Sequence, residues 1–73
     1  MAETDKGEKI KIIGEDKGKR LDVYLSERLY PRLSRSRIEQ LIEDGNVFVD
    51  GRNVKPSYKL KGGEEIEVII PPP

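Results

Sequence analysis

The 73-residue sequence predicts a small α+β domain in which two short helices pack on a small antiparallel sheet. Apolar residues recur at helical spacing in two segments, one over 20–29 and one that begins near Ser34. Apolar and acidic residues alternate over 65–70, as in a strand with one buried face. An Asp50-Gly51 turn between short apolar runs adds a β-hairpin. A chain of this length forms one domain.

The composition excludes several kinds of functional site. The chain has no cysteine and no histidine, which removes disulfides, thiolate nucleophiles and the usual zinc ligands. We therefore expect no metal, no cofactor and no catalytic residue in this chain. No apolar run approaches the roughly 18 residues of a membrane span, and the polar start is no signal peptide, so we expect a cytoplasmic protein.

Charge is strongly segregated along the chain. Fourteen basic residues balance fourteen acidic ones. Residues 17–37 nevertheless hold seven basic against two acidic residues, whereas 38–51 hold four acidic residues and no basic one. A polyanion responds to the local field rather than to the total charge, so this pattern favours a nucleic-acid partner.

The first part of the chain predicts one strand and one helix. Residues 1–8 are polar and aperiodic, so we interpret them as a disordered tail. Ile10, Ile12 and Ile13 indicate a short edge strand, which a loop over 14–18 follows. The helix over 20–29 has an apolar stripe and ends before Pro31. The stripe consists of Leu21, Tyr24, Leu25 and Leu29.

The second helix has two possible starts. Ser34 as N-cap would place Leu33 and Ile38 at the spacing of a hydrophobic staple, whereas Ser36 would form a capping box with Glu39. The staple favours Ser34. Ile38, Leu41 and Ile42 form the stripe that we expect to be buried, and Gly45 follows as the C-terminal glycine.

The remaining chain predicts a hairpin and two strands. A type I′ turn at Asp50-Gly51 would pair Val49 with Arg52 and Val47 with Val54. A short strand over 58–60, a turn over 61–64 and a final strand over 65–70 follow. The three prolines at 71–73 cannot extend a sheet and are typical of the start of a stiff linker, which leaves 9–70 as the domain.

A cluster of basic residues surrounds the start of the second helix, where the helix dipole ordinarily favours acidic residues. Free backbone N–H groups at a helix start suit phosphate, and the hairpin could return further basic residues to the same side. The predicted binding residues are Arg32, Ser34, Arg35, Arg37, Arg52 and Lys55.

Three other features have structural interpretations. We expect Asp22 to support a helix start. Phe48 could stack on an unpaired base, but we favour packing under the first strand or the first helix. The three tyrosines, Tyr24, Tyr30 and Tyr58, are expected in the core or at its rim.

The order of these elements resembles a known family, the RNA-binding domain of the ribosomal protein S-four type, also called the alpha-L motif. The resemblance covers residues 18–70. It is carried by the segments Arg20-Leu21-Asp22, Leu33-Ser34-Arg35-Ser36-Arg37, Leu41-Ile42, Gly45-Asn46-Val47, Val49-Asp50-Gly51, Pro56-Ser57-Tyr58 and Gly63-Glu64-x-Ile66.

The Ser-Arg-Ser-Arg-Ile segment and the proline exit look most like the N-terminal module of ribosomal large-subunit-type pseudouridine synthases. The resemblance implies a non-catalytic module that holds structured RNA, which is ribosomal RNA in such enzymes, with the catalytic domain beyond the prolines. Pseudouridine synthases carry a catalytic aspartate in an Arg-Leu-Asp string, but in that other domain. This chain departs from many relatives by having Glu39, Glu43 and Asp44 in the second helix, which implies a narrow RNA footprint.

Two other functions stay open from sequence. A β-grasp sulfur-carrier or ubiquitin-like protein would fit the run from Val47 to Ile70, but it would need a C-terminal Gly-Gly where this chain has prolines. A domain-docking interaction module would use the acidic half of the second helix against a basic partner. For the RNA-binding function we expect a monomer.

Overall fold

A computed structural model describes residues 7–71 of the chain. Most of the predicted tail and the last two prolines lie outside the described residues. Glu8 belongs to the first strand and not to the predicted tail, because it pairs in register with Ile70.

The described residues form two helices and a three-stranded antiparallel sheet, which confirms the predicted α+β class. The elements are β1 (Glu8–Gly14), α1 (Leu21–Leu29), α2 (Arg35–Glu43), β2 (Val47–Val49) and β3 (Glu64–Ile70). The strand order is β1-β3-β2, so β3 is central and β1 is an edge strand, as predicted. No helix within 7–71 is long and apolar enough to cross a membrane.

The core lies between the helices and one face of the sheet. Alternation along the strands supplies the sheet side, since Val47 pairs with Val68 and Val49 with Ile66, and all four are buried. The stripes of α1 and α2 supply the other side. The buried helical residues are Leu21, Tyr24, Leu25, Ile38, Leu41 and Ile42.

Ser34 caps α2, which confirms the favoured start. Its hydroxyl accepts a hydrogen bond from the Arg37 backbone N–H at 3.2 Å. Leu33 and Ile38 are both buried, as the staple requires. Ser36 lies inside the helix, so the competing start is wrong.

The predicted hairpin is only partly formed. Val49 and Arg52 exchange backbone hydrogen bonds of 2.7 and 3.0 Å. Asp50 and Gly51 have the positive φ angles of a type I′ turn, 51° and 83°. The predicted pairing of Val47 with Val54 is wrong, because the Asn53 side chain donates to the Val47 carbonyl at 2.9 Å and thereby takes the acceptor.

The strand predicted over 58–60 is also absent from the described residues. Lys59 forms a single antiparallel bridge with Arg20 instead. The Leu21 N–H donates to the Tyr58 carbonyl at 2.7 Å, and the Leu60 N–H donates to the Lys19 carbonyl at 3.0 Å. The segment therefore fastens the chain that leads into α1.

Phe48 does not pack under β1 or α1, so that prediction is wrong. It pairs with Glu67 on the sheet face away from the helices and is half-buried, because its neighbours Val47 and Val49 take the inner face. Tyr24 is a core residue whose hydroxyl donates to the Ile13 carbonyl at 2.6 Å. Tyr30 is 73% exposed and lies outside the core cluster, so the prediction of a core or rim position is wrong for this tyrosine.

Candidate nucleic-acid interface

A buried carboxylate organises the starts of both helices. Asp22, in the first turn of α1, has no exposed surface. It accepts hydrogen bonds from the Arg20 Nε and Nη2 atoms at 3.2 and 3.0 Å and from the Val23 N–H at 2.8 Å. Burial acts to raise the pKa of Asp22, but its hydrogen bonds and the charge of Arg20 outweigh burial, so the pKa lies below its usual value. Asp22 is therefore held as an anion.

The second helix contributes another guanidinium to the same carboxylate. Arg35 Nη2 lies 3.6 Å from Asp22 Oδ2, and Arg35 Nε lies 3.6 Å from a carboxylate oxygen of Glu39. The side chains of Arg20 and Arg35 are 45% and 54% exposed, so each can direct N–H donors to solvent. We call Arg20, Asp22 and Arg35 the arginine clamp. It fixes two cationic groups, one at the N-cap of α1 and one in α2, at one place on the surface.

A groove borders the arginine clamp. It has a volume of about 490 Å³ and runs between α2 and the loop after the turn. Its lining residues are Arg20, Glu39, Glu43, Lys55, Pro56 and Ser57. We call it the α2 groove. Lys55 thus lies on the same side of the molecule as Arg20 and as Glu39, the partner of Arg35.

Arg37 projects from a different side of α2. Successive helical residues are rotated by about 100°, so Arg35 and Arg37 are separated by about 160° around the helix axis. Arg37 is exposed, and it forms no ion pair with any of the residues that the structure describes. It lies beside the free N–H groups of the helix start but does not join the arginine clamp.

The remaining predicted site residues are more dispersed. Arg32 forms an ion pair with Glu8 at the start of β1. Arg52 borders a separate hollow of about 250 Å³, whose lining includes Tyr58, Lys61 and Glu64. The hydroxyl of Ser34 is engaged in capping. The structure therefore brings Lys55 to the groove that borders the arginine clamp, links Arg35 to that groove through Glu39, and leaves the others around it.

Sequence reasoning missed Arg20 as a site residue. Arg20 lies two residues before Asp22 at a helix start, and this spacing could have indicated an ion pair. The sequence prediction gave Asp22 only a role in supporting the helix. Lys59 was missed as well. It is exposed and pairs with Arg20 across the isolated bridge, so the two basic residues lie side by side.

A second buried carboxylate supports the hollow next to Arg52. Glu64 is 5% exposed and accepts hydrogen bonds from the Tyr58 hydroxyl at 2.7 Å and from the Lys61 and Gly62 N–H groups at 2.8 Å. Burial acts to raise the pKa of Glu64, but these hydrogen bonds outweigh it and the pKa lies below its usual value. Glu64 thus fixes the turn that leads into β3.

Comparison with known families identifies the fold. The family profile described as "S4 domain" matches residues 19–66, which include the arginine clamp, the α2 groove and the turn at Asp50-Gly51. This protein belongs to the S4 domain family. The resemblance found in the sequence is therefore confirmed.

Several similar proteins are much longer than this chain. The chain is 45% identical over 64 residues to an uncharacterized RNA pseudouridine synthase of Aquifex aeolicus, covering 86% of this chain and 19% of that protein. It is 41% identical over 53 residues to the ribosomal large subunit pseudouridine synthase D of Xanthomonas campestris, covering 73% and 16%. It is 33% identical over 70 residues to the ribosomal large subunit pseudouridine synthase C of Escherichia coli, covering 96% and 21%. The chain thus spans about a fifth of the length of these relatives.

Membership of the S4 domain family leaves the two alternative functions without support. The β-grasp alternative expects one main helix after a hairpin, whereas here α1 and α2 both precede the turn at Asp50-Gly51. No comparison points to a domain-docking module.

Proposed function

We propose that this S4 domain binds structured RNA by contacting phosphates with the arginine clamp, Arg37 and Lys55. The observation that carries the proposal is the convergence of Arg20 and Arg35 on the buried carboxylate of Asp22. Two guanidinium groups held by one anion lose less side-chain freedom when a phosphate binds. Their remaining N–H donors match the bidentate geometry of phosphate oxygens.

The start of α2 adds backbone donors to these side chains. Ser34 satisfies one of the free N–H groups, and no acidic residue lies in the first turn to compete with a bound phosphate. In this proposal Ser34 acts by fixing the helix start. Arg32 is partly neutralised by Glu8 and Arg52 borders a separate hollow, so both make secondary contacts.

The relatives suggest the setting in which the domain works. The proteins from Aquifex aeolicus, Xanthomonas campestris and Escherichia coli are named RNA pseudouridine synthases, two of them for the ribosomal large subunit. We propose that this chain is the RNA-holding module of such an isomerase and that the catalytic domain is covalently attached to it. The substrate is ribosomal RNA, the location is cytoplasmic, and the module acts as a monomer without a cofactor.

The acidic residues of α2 limit the size of the RNA footprint. Glu39 and Glu43 lie in the second half of α2, Asp44 follows as its C-cap, and all three repel phosphates, so we expect about four phosphate contacts. Binding of a labelled ribosomal RNA stem-loop, measured at several salt concentrations, should then give a log–log slope of about −3 to −4. Binding that is independent of salt would refute the proposal.

A further inference from the structure

The α2 groove contains charges of both signs that do not neutralise each other. Lys55 and Glu43 line the same groove, yet within the part of the chain that the structure describes neither belongs to an ion pair. Both residues are exposed. Opposite charges that face one groove without contact leave room for a ligand with complementary groups on two sides.

The groove continues into a neighbouring hollow and offers both charged and apolar surface. A second hollow of about 480 Å³ shares Glu43, Lys55 and Pro56 with the α2 groove and continues towards Ile42 and Val54. The basic groups of Arg20 and Lys55 suit a phosphate, whereas the proline ring and the aliphatic side chains suit the face of a base. The ligand must also offer hydrogen-bond donors to the carboxylates of Glu39 and Glu43.

The carboxylates decide which base fits. A carboxylate only accepts hydrogen bonds, so it selects a base edge that carries donors. The Watson–Crick edge of guanine presents two adjacent donors, the N1–H and the N2 amino group, which fit the two oxygens of one carboxylate. Uracil places carbonyl oxygens on both sides of its single N–H donor, and these oxygens would repel a carboxylate. Unpaired bases expose this edge, whereas paired bases do not.

We infer that the α2 groove recognises an unpaired guanosine in the bound RNA, with the Glu43 carboxylate on its Watson–Crick edge and Lys55 on its phosphate. This inference rests on the proposed RNA binding and adds a base preference to it. Glu39 is the secondary acceptor because it is already near Arg35. The acidic half of α2 then selects a nucleotide as well as limiting the footprint.

The test uses a labelled RNA hairpin with one unpaired nucleotide, made with guanosine, inosine, adenosine, cytidine or uridine at that position. Inosine lacks only the N2 amino group of guanosine. Fluorescence anisotropy should show that the protein prefers guanosine to uridine and inosine by about 5- to 50-fold. Glu43→Gln should reduce this preference to less than about threefold without weakening binding of the uridine hairpin, because a glutamine amide presents one acceptor and one donor.

Glu65→Gln is the matched control. It makes the same charge change at an exposed residue of β3 and should keep the guanosine preference. Equal binding of the guanosine and uridine hairpins by the unmodified protein, or an undiminished preference in Glu43→Gln, would overturn the inference and leave the proposed RNA binding intact. Failure of the unmodified protein to bind any of the hairpins would overturn both.

Discussion

Arg35 Nη2 lies 3.6 Å from Asp22 Oδ2, so the first turn of α2 is linked to the first turn of α1 through a carboxylate with no exposed surface. The same carboxylate binds Arg20 at 3.0 Å. One acidic residue therefore sets the position of two basic residues, Arg20 just before α1 and Arg35 in α2. This positioning role explains why a negative side chain, that of Asp22, lies inside a site that is predicted to bind a polyanion.

Replacing Asp22 with asparagine should weaken RNA binding even though it makes the protein more positive. Asparagine keeps the shape but cannot hold two guanidinium groups, so we expect at least about a fivefold loss of affinity, and a loss of about 1–3 kcal/mol in the free energy of unfolding. Urea unfolding and anisotropy titration measure the two effects. Asp16→Asn makes the same charge change in an exposed loop and should bind RNA at least as tightly as the unmodified protein. Unchanged or tighter binding by Asp22→Asn would show that the arginine clamp does not position the arginines for RNA.

Removal of the α2 cap should destabilise the domain. Ser34→Ala deletes the acceptor for the Arg37 N–H and should lower the free energy of unfolding by about 1 kcal/mol. Ser36→Ala, two residues later and inside the helix, should change it by less than about 0.5 kcal/mol. Urea denaturation of the two variants distinguishes the positions. Equal effects would contradict the assignment of Ser34 as the cap.

The buried Glu64 should make stability depend on pH in the acid range. Its pKa is lower in the folded chain than in the unfolded chain, so its contribution is present above the unfolded pKa of about 4.3 and is lost as the pH falls through the folded value. Glu64→Gln should lower the free energy of unfolding by about 1–3 kcal/mol at pH 7. The difference between the unmodified protein and this variant should shrink towards pH 3, because protonated Glu64 is also uncharged. A difference that stays constant between pH 7 and pH 3 would show that Glu64 does not act as an anion.

Local patterns were sufficient to predict most of the elements. The apolar stripes of α1 and α2, the alternation along β3 and the Asp50-Gly51 turn depend on residues close in sequence, and they were predicted correctly. The pairing of Val47 with Val54 failed because the Asn53 side chain competes for a backbone carbonyl, which a strand pattern does not reveal. The bridge between Lys59 and Arg20 joins segments about forty residues apart, so periodicity could not detect it.

The candidate site was harder to predict than the fold. Clustering in the sequence put Arg35 and Arg37 together, although helical rotation separates them. Arg20 was missed because its partner Arg35 is distant in sequence and meets it only through Asp22. Charge counts cannot show that a basic residue such as Arg32 is paired with Glu8. Which arginines share a surface is decided by tertiary packing.

In the proposed function, the start of α2 provides a specific site for RNA phosphates. Anisotropy titration of a labelled ribosomal RNA stem-loop tests it with two double variants that remove the same charge. One double variant combines Arg35→Gln and Arg37→Gln at the helix start. The other, the control, combines Lys9→Gln and Lys11→Gln on the outer face of β1. Glutamine is used because a carboxylate at position 35, beside Asp22 and Glu39, would disturb the fold.

The arginine double variant should lose about tenfold or more in affinity, and its salt slope should fall by about 2, whereas the lysine double variant should change affinity by less than about threefold. Equal losses in the two double variants, or no loss in the arginine variant, would contradict a phosphate site at the start of α2.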